Sequence, residues 1–219
     1  MPFPKRPGHR LPAFVTLLVA GVASIMIVPL FAPDAAHLGI ARVAGAAILM
    51  LALWAAGVRP RTLLFSAPLF IAYLLAVFMG GRHLSAVALS IRAFFFCYAV
   101  AVIVSHILRA QKVTAHMLAG AACAYVLTGI TWANFYEILE ILQPGSFDIP
   151  TAFLLQPQGD PGMALQYFSF TTLTTVGYGD IHPSNIRAAG LAIGEAIVGQ
   201  LYVAIMIARL VSLHLVQRS

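Results

Sequence analysis

The chain has 219 residues, of which 61% are hydrophobic and only 9% are charged, and its formal net charge is +6 at pH 7. A soluble globular domain carries about 25% charged residues, so this composition excludes one. The basic residues lie between apolar runs rather than on one soluble face, which indicates membrane topology and not nucleic-acid binding. Cys97 and Cys123 lie in apolar runs without metal-ligand spacing, so no disulfide framework can be inferred.

Six apolar segments follow one another along the chain. Each is near or above the length of about 20 residues that a helix needs to cross the hydrocarbon core of a bilayer. The first follows basic residues, as in a signal peptide, but it exceeds the roughly 7–15 residues of a signal h-region, so we predict an uncleaved anchor. The predicted membrane helices are Leu11–Phe31, Leu38–Val58, Leu63–Met79, Leu84–Leu108, Val113–Leu142 and Ala188–Ile207.

The distribution of lysine and arginine predicts the orientation of these helices. Cytoplasmic loops of membrane proteins carry an excess of basic residues. With a cytoplasmic N-terminus, the inner segments hold Lys5, Arg6, Arg10, Arg59, Arg61, Arg109, Lys112, Arg209 and Arg218, and the outer loops hold only Arg82 and Arg187. We therefore expect both termini in the cytoplasm and the loop between the fifth and sixth helices outside.

The first four segments lack the charge pattern of a voltage sensor. A sensor helix needs several arginines that cross the membrane field, whereas the fourth segment has only Arg92 before the boundary residue Arg109. We expect Arg92 to snorkel, or to pair with a backbone carbonyl or a lipid phosphate. Residues 1–112 are therefore predicted to form a four-helix scaffold domain, and residues 113–219 a second domain.

The loop between the fifth and sixth segments has two parts. Gln143–Gly162 is rich in proline, glycine and polar residues and is predicted to be an exposed turret. Met163–Thr174 is apolar but only twelve residues long, so a helix there would span about 18 Å, or half a bilayer. Asp160 is placed to cap its start, next to Pro161. The sequence therefore predicts a re-entrant helix whose C-terminal dipole can stabilise a cation within the membrane.

The residues that follow this half-helix, Thr175 to Gly179, read Thr-Val-Gly-Tyr-Gly and precede Asp180. This segment resembles the selectivity filter of tetrameric potassium channels, and the resemblance covers roughly Val113 to the C-terminus. A cation that leaves water must regain oxygen ligands, because its lost hydration is worth on the order of tens of kcal/mol. Backbone carbonyls supply them when left-handed residues alternate along the chain, a conformation that Gly177 and Gly179 adopt without steric penalty.

The resemblance implies roles for individual residues of this chain. Potassium ions, the permeant species, would be bound by backbone carbonyls and one hydroxyl, those of Thr175, Val176, Gly177 and Tyr178. Support of the filter falls to Thr174, Gly179, Asp180 and Tyr167, a gating hinge to Gly199, and the lining of the cavity to Gln200, Val203 and Ile207. Two positions depart from the family: Tyr167 stands where many members have a tryptophan that bonds the aspartate, and Thr171 where some have a supporting glutamate.

Glu195 and His182 are two polar residues near the predicted pore for which the sequence allows more than one role. Glu195 is a lone carboxylate at membrane depth, where it is costly unless it is paired or neutral. We expect it to brace the pore helix by bonding the hydroxyls of Ser169 or Thr172, or to stay protonated. A tetramer would place four copies of His182 at the outer mouth, where this residue is either a sensor of external protons or a solvated loop residue.

The fold class that follows is an all-α polytopic membrane protein with six transmembrane helices, a re-entrant pore helix and a filter loop per subunit. One filter copy cannot enclose an axis, so we expect a homotetramer in a lipid bilayer. The expected function is passive potassium conduction without catalysis, not gated by a voltage sensor, and with no nucleic acid and no soluble ligand-binding domain. The composition favours a prokaryotic inner membrane.

Three alternatives remain open at this level. A nonselective cation channel is disfavoured by the complete filter motif. The membrane subunit of a potassium transporter is disfavoured because such proteins join four degenerate pore loops in one chain. The sequence does not discriminate against a non-conducting regulatory subunit.

Overall fold

The structure is a computed structural model that describes residues 10–31, 48, 82–154 and 161–218. The predicted second and third membrane segments lie outside these residues, apart from position 48, and so does Asp160, the predicted helix cap. In chain order, the described elements are α1 (Arg10–Phe31), α2 (Arg82–Arg109), α3 (Ala115–Leu142), β1 (Phe147–Asp148), a 3-10 turn (Thr151–Phe153), α4 (Gly162–Leu173), β2 (His182–Pro183) and α5 (Ile186–Arg218).

Three helices within the described ranges are long and apolar enough to cross a membrane. They are Leu84–Arg109 in α2, Met117–Leu142 in α3 and Ile186–Leu213 in α5. These spans coincide with the fourth, fifth and sixth predicted segments. The predicted first segment coincides with α1, in which Phe14–Ala23 forms a shorter apolar stretch. The chain is thus a mostly helical membrane protein, and the complete set of six spans stays a prediction.

Helices α1 and α2 both pack against α3. The Sγ of Cys123 on α3 donates a hydrogen bond to the carbonyl of Phe14 at 2.9 Å, and an added Cβ at Gly21 would meet Val126 at 3.1 Å. Small residues allow such close approach between helices in a membrane, where burial of apolar surface gives no drive to associate. The largest buried side chains of this packing include Leu17, Phe96, Ile103, Leu127 and Cys123.

A charged contact within the helix pair α2–α3 corrects the sequence prediction for Arg92. Its Nε donates to Oδ1 of Asn134 at 2.9 Å, Nη2 donates to the same oxygen, and Nη2 lies 3.5 Å from Oε2 of Glu137. The arginine therefore pairs with two α3 side chains rather than with a carbonyl or a lipid. The partners are more than forty residues away along the chain, and a helix pattern carries no signal for such a contact.

The loop after α3, which was predicted to be an exposed turret, is anchored to the core at one point. Phe147 is only 4% exposed and packs its ring against Tyr136 and Phe168, with centroids 5.2 and 5.4 Å away. Strand β1 pairs with β2 in antiparallel register, and the carboxylate of Glu140 accepts hydrogen bonds from the backbone N–H groups of Gly145 and Phe147. A single aromatic side chain anchors this otherwise largely exposed segment to the core, because its large apolar area favours burial.

Helix α5 continues past the predicted end at Ile207 to Arg218. At this C-terminal end, Nη2 of Arg209 donates to the carbonyls of Leu108 and Ala110 at 2.9 and 2.7 Å. These carbonyls belong to the last turn of α2 and the residue after it, where a helix has unpaired acceptors and a negative dipole end. The cation therefore links the end of α2 to α5.

Candidate functional site

Helix α4 places a short irregular segment next to α3 and α5. It runs from Gly162 to Leu173, within one residue of the predicted pore helix at each end, and Pro161 occupies the N-cap position. Its apolar side chains Leu165 and Leu173 are fully buried. The hydroxyl of Tyr125 on α3 donates to the carbonyl of Leu173 at 3.2 Å, so the C-terminal end of α4 is held where the irregular segment begins.

The backbone of this segment alternates in handedness. Thr175, Gly177 and Gly179 have φ angles of 60°, 54° and 79°, and within the described chain no other non-glycine residue than Thr175 has positive φ. The alternation at the two glycines is the conformation that the carbonyl-ligand argument requires. Thr175 is a third left-handed position that the sequence did not predict, since this conformation costs a non-glycine residue roughly 1–2 kcal/mol.

Within a single chain, the need for glycine here is conformational rather than steric. Apart from the adjacent residues, no heavy atom of the chain lies within 4 Å of an added Cβ at Gly177 or Gly179. An alanine would therefore fit the space left by its own chain, but it would resist the left-handed φ angle. This distinction matters for mutagenesis, because a substitution should disturb the segment without disrupting the surrounding core.

The irregular segment is hydrogen-bonded to α4 at its start, and its residues are exposed on the side away from α4. The N–H of Thr175 donates to the carbonyl of Thr172 at 3.0 Å, and the N–H of Gly177 donates to that of Thr171 at 3.1 Å. Residues 174–179 are all exposed in the single chain, with Val176 at 53% and Tyr178 at 72%. A backbone that carries ion-binding groups at membrane depth must be covered by protein or line water.

An aromatic stack lies behind the segment. The Oη of Tyr167 donates a hydrogen bond to Oδ2 of Asp180 at 2.6 Å, and this bond raises the pKa of Tyr167 to about 12, so that the hydroxyl remains a donor at neutral pH. The Tyr167 ring stacks on Phe153 on one side and, at 6.4 Å and 3° between planes, on Tyr178 on the other. Phe153 was missed by sequence reasoning, because it precedes α4 in an irregular loop.

The face of α5 toward the irregular segment carries Gly199, the predicted hinge, and Gln200, which is predicted to line the cavity. An added Cβ at Gly199 would collide with the carbonyl oxygen of Leu173, so close packing alone accounts for glycine there, and the hinge stays a prediction. Nε2 of Gln200 lies 3.4 Å from Oγ1 of Thr175. Val203 and Ile207 are 40% and 57% exposed, on the open side of the helix.

Glu195 lies inside the protein rather than on that open face. It is fully buried, and its two carboxyl oxygens contact the hydroxyls of Ser169, at 2.5 Å, and of Tyr136. Ser169 was one of the two predicted partners. Tyr136 was not predicted, because it lies within α3 with no local motif to mark it.

His182 has a partner that the sequence did not indicate. Its Nε2 lies 3.5 Å from Oδ2 of Asp148, its cross-strand neighbour on β1, and both side chains are more than half exposed. His182 follows Gly179, the end of the irregular segment, by three residues. Its contact with Asp148 is solvated, and exposed ion pairs contribute little to stability.

The model of the ion channel family Ion_trans_2 matches residues 153–214, from the end of the 3-10 turn through α4, the irregular segment and most of α5. No curated protein and no solved structure matches the chain. The matched region is therefore similar to an ion channel domain. Together with the apolar helices, this supports ion transport across a membrane and points to a channel rather than an enzyme.

Proposed function

We propose that the protein is a potassium-selective channel that conducts passively through the segment from Thr175 to Gly179. The observation that carries this proposal is the alternation of left-handed residues at 175, 177 and 179 within the Thr-Val-Gly-Tyr-Gly sequence. An ordinary glycine-rich turn needs one or two such residues, whereas a row of carbonyl ligands needs the alternation to continue. The family match supports the coarser statement that this region is an ion channel.

In this proposal, potassium exchanges its water for protein oxygens along the filter. The carbonyls of Thr175, Val176, Gly177 and Tyr178 and the hydroxyl of Thr175 act as ligands, which replace the hydration shell without a catalytic step. The Tyr167–Asp180 hydrogen bond holds the outer end of the filter to α4. The C-terminal end of α4 directs its negative dipole toward the inner side and favours a cation there.

The unpartnered side of the chain supports assembly as a homotetramer. Only 17% of the most apolar stretch of α5 is buried inside the chain, compared with 56% for α3. Four copies around an axis would cover the exposed residues 174–179 and close a ring of carbonyl ligands. Native mass measurement of the detergent-solubilised protein is then expected to give four chains of 23.4 kDa each, and a monomer that still conducts would contradict the assembly.

The contacts of Arg92 support gating without a voltage sensor. A charge that is held by Asn134 and Glu137 within α2–α3 is not free to cross the membrane field. Residues 1–112 would then act as a scaffold, in a cell membrane with both termini in the cytoplasm.

The proposal is tested by flux into liposomes that contain the purified full chain. We expect potassium uptake that stops in Gly179→Ala, with the variant still inserted in the membrane. Gly190→Ala is the matched control, because an added Cβ there meets no atom within 4 Å and the residue lies in regular helix. Unchanged flux in Gly179→Ala would overturn the assignment of the filter, and equal uptake of sodium by the parent protein would indicate a nonselective cation channel.

A further inference from the structure

Glu195 lies where three helices of the proposed pore meet. It belongs to α5, its partner Ser169 to α4 and its partner Tyr136 to α3, and all three side chains are 0% exposed. The cluster lies behind the filter and is not part of the ion path. It is the one fully buried carboxylate within the described part of the chain, and the conduction mechanism gives it no role.

If the carboxylate of Glu195 is ionised, this cluster has one hydrogen too few for its close contacts. The Oγ of Ser169 lies 2.5 Å from Oε1 of Glu195 and 2.7 Å from the carbonyl oxygen of Gly129. A serine hydroxyl has a single hydrogen, and a carbonyl oxygen only accepts. The Tyr136 hydroxyl uses its own hydrogen on Oε2. If the carboxylate were ionised, Ser169 could donate its hydrogen to only one of these two oxygens. Its other close contact would then be between two oxygens with no hydrogen between them.

A proton on Oε1 of Glu195 removes this conflict. The carboxyl O–H then donates to Ser169, and Ser169 donates to the Gly129 carbonyl. Tyr136 still donates to the other carboxyl oxygen. Each hydroxyl in this series of contacts then donates one hydrogen bond. Helices α5, α4 and α3 are thereby joined by a continuous series of hydrogen bonds.

The surrounding charges favour the same state. The titratable groups that face Glu195 are the phenols of Tyr136 and Tyr125, both on α3. Helix α4 contributes the hydroxyl of Ser169, and neither helix presents a cation to Glu195. The two ion pairs found in the described residues use other carboxylates, those of Glu137 and Asp148. An unpaired anion with no exposure to water is strongly disfavoured.

We propose that Glu195 carries a proton in the folded channel and that this proton joins the inner helix α5 to the pore helix α4. Glu195 is thereby a positioning residue for the filter. Ser169 lies one helical turn before Leu173, whose carbonyl is already fixed by Tyr125 and packed against Gly199, so loss of the proton loosens the helix that supports the filter. The effect on conduction rests on the proposed function, whereas the protonation itself does not.

Infrared spectroscopy of the full chain in detergent at neutral pH tests the protonation directly. The difference spectrum between the parent and Glu195→Gln is expected to contain the carbonyl band of a protonated carboxylic acid. Glu140→Gln is the control, because Glu140 accepts two backbone N–H bonds at the exposed end of α3, and its difference spectrum should show carboxylate bands instead. Carboxylate bands in the Glu195 difference spectrum would overturn the proposal.

Two further measurements separate the proton from the size of the side chain. A glutamine amide can donate to Ser169 and accept from Tyr136, so Glu195→Gln should keep the thermal stability of the assembly, whereas Glu195→Ala should lower it by several degrees. In liposomes, potassium flux should fall several-fold at alkaline pH in the parent and stay flat in Glu195→Gln. If Glu195→Gln is as unstable as Glu195→Ala, or if both channels respond alike to alkaline pH, the proposal is wrong. If the parent and every variant lack potassium flux while the infrared band of the protonated carboxylic acid is present, the proposed channel function is wrong and the proposed protonation of Glu195 stands.

Discussion

Two regions of this protein place polar groups among its apolar helices, and they differ in how those groups are paired. At the α2–α3 interface, Arg92 is held by Asn134 and Glu137 within one chain. At the filter, residues 174–179 are exposed, and within the described chain their recorded backbone bonds reach only to the last turn of α4. The arginine is therefore paired within one chain. In the proposed homotetramer, the exposed segment would be covered by other copies around the pore axis.

The largest expected effect is at the filter. Gly177→Ala should abolish potassium flux, because four subunits would each carry roughly 1–2 kcal/mol of backbone strain at the carbonyl ring. Membrane insertion and the α1–α3 packing should be retained, because no heavy atom of the same chain, apart from the adjacent residues, lies within 4 Å of the new Cβ. Flux into liposomes, with thermal unfolding as the check on folding, measures both. Normal potassium flux in this variant would show that left-handed backbone at position 177 is not needed.

The next largest effect is expected at the α2–α3 interface, where Arg92 is paired within one chain. Arg92→Leu leaves the Glu137 carboxylate without its cation, and we expect a loss of about 1–3 kcal/mol in stability, less than for a fully buried pair because both side chains are 17% exposed. The double variant Arg92→Glu with Glu137→Arg should recover part of this loss. Arg187→Leu is the control, since that arginine bonds Gln143 at an exposed site. Equal destabilisation by Arg92→Leu and Arg187→Leu would show that the pair contributes nothing.

A smaller effect is expected behind the filter. Tyr167→Phe keeps the ring between Phe153 and Tyr178 but removes the donor to Asp180, and we expect a loss of about 1 kcal/mol per subunit because the site is partly open to solvent. The visible result should be faster decline of potassium current during sustained opening. Tyr98→Phe, on the exposed side of α2, is the matched control. Identical current decline in the two variants would mean that the hydroxyl does not support the filter.

The smallest effect concerns His182. Four imidazolium charges near the outer mouth should reduce inward current as the external pH falls from about 8 to about 5.5, where histidine generally gains charge. Asp148 lies 3.5 Å away and offsets part of that field, so the reduction should be small and should weaken in high salt. Recording His182→Gln beside the parent at both pH values isolates this residue. If the two respond identically, His182 is only a solvated loop residue.

The contrast between the two regions also explains what the sequence could predict. The bounds of α4 and the left-handed glycines follow from local residue types, since a short apolar run and a glycine pattern act within a few residues. Ser169 was predicted as a partner of Glu195. The partners of Arg92 and His182, and Tyr136 as the second partner of Glu195, lie on other helices and strands, and no periodicity marks them. The burial of Phe147 was missed for the same reason, because a polar loop composition does not show that one ring reaches the core.

Potassium selection by Thr175–Gly179 can be measured as the reversal potential of single channels in a planar bilayer with potassium on one side and sodium on the other. We expect a reversal potential far toward the potassium equilibrium value, and no current at all in Gly177→Ala. A reversal potential near zero, with sodium and potassium carrying equal current, would contradict potassium selection by this segment.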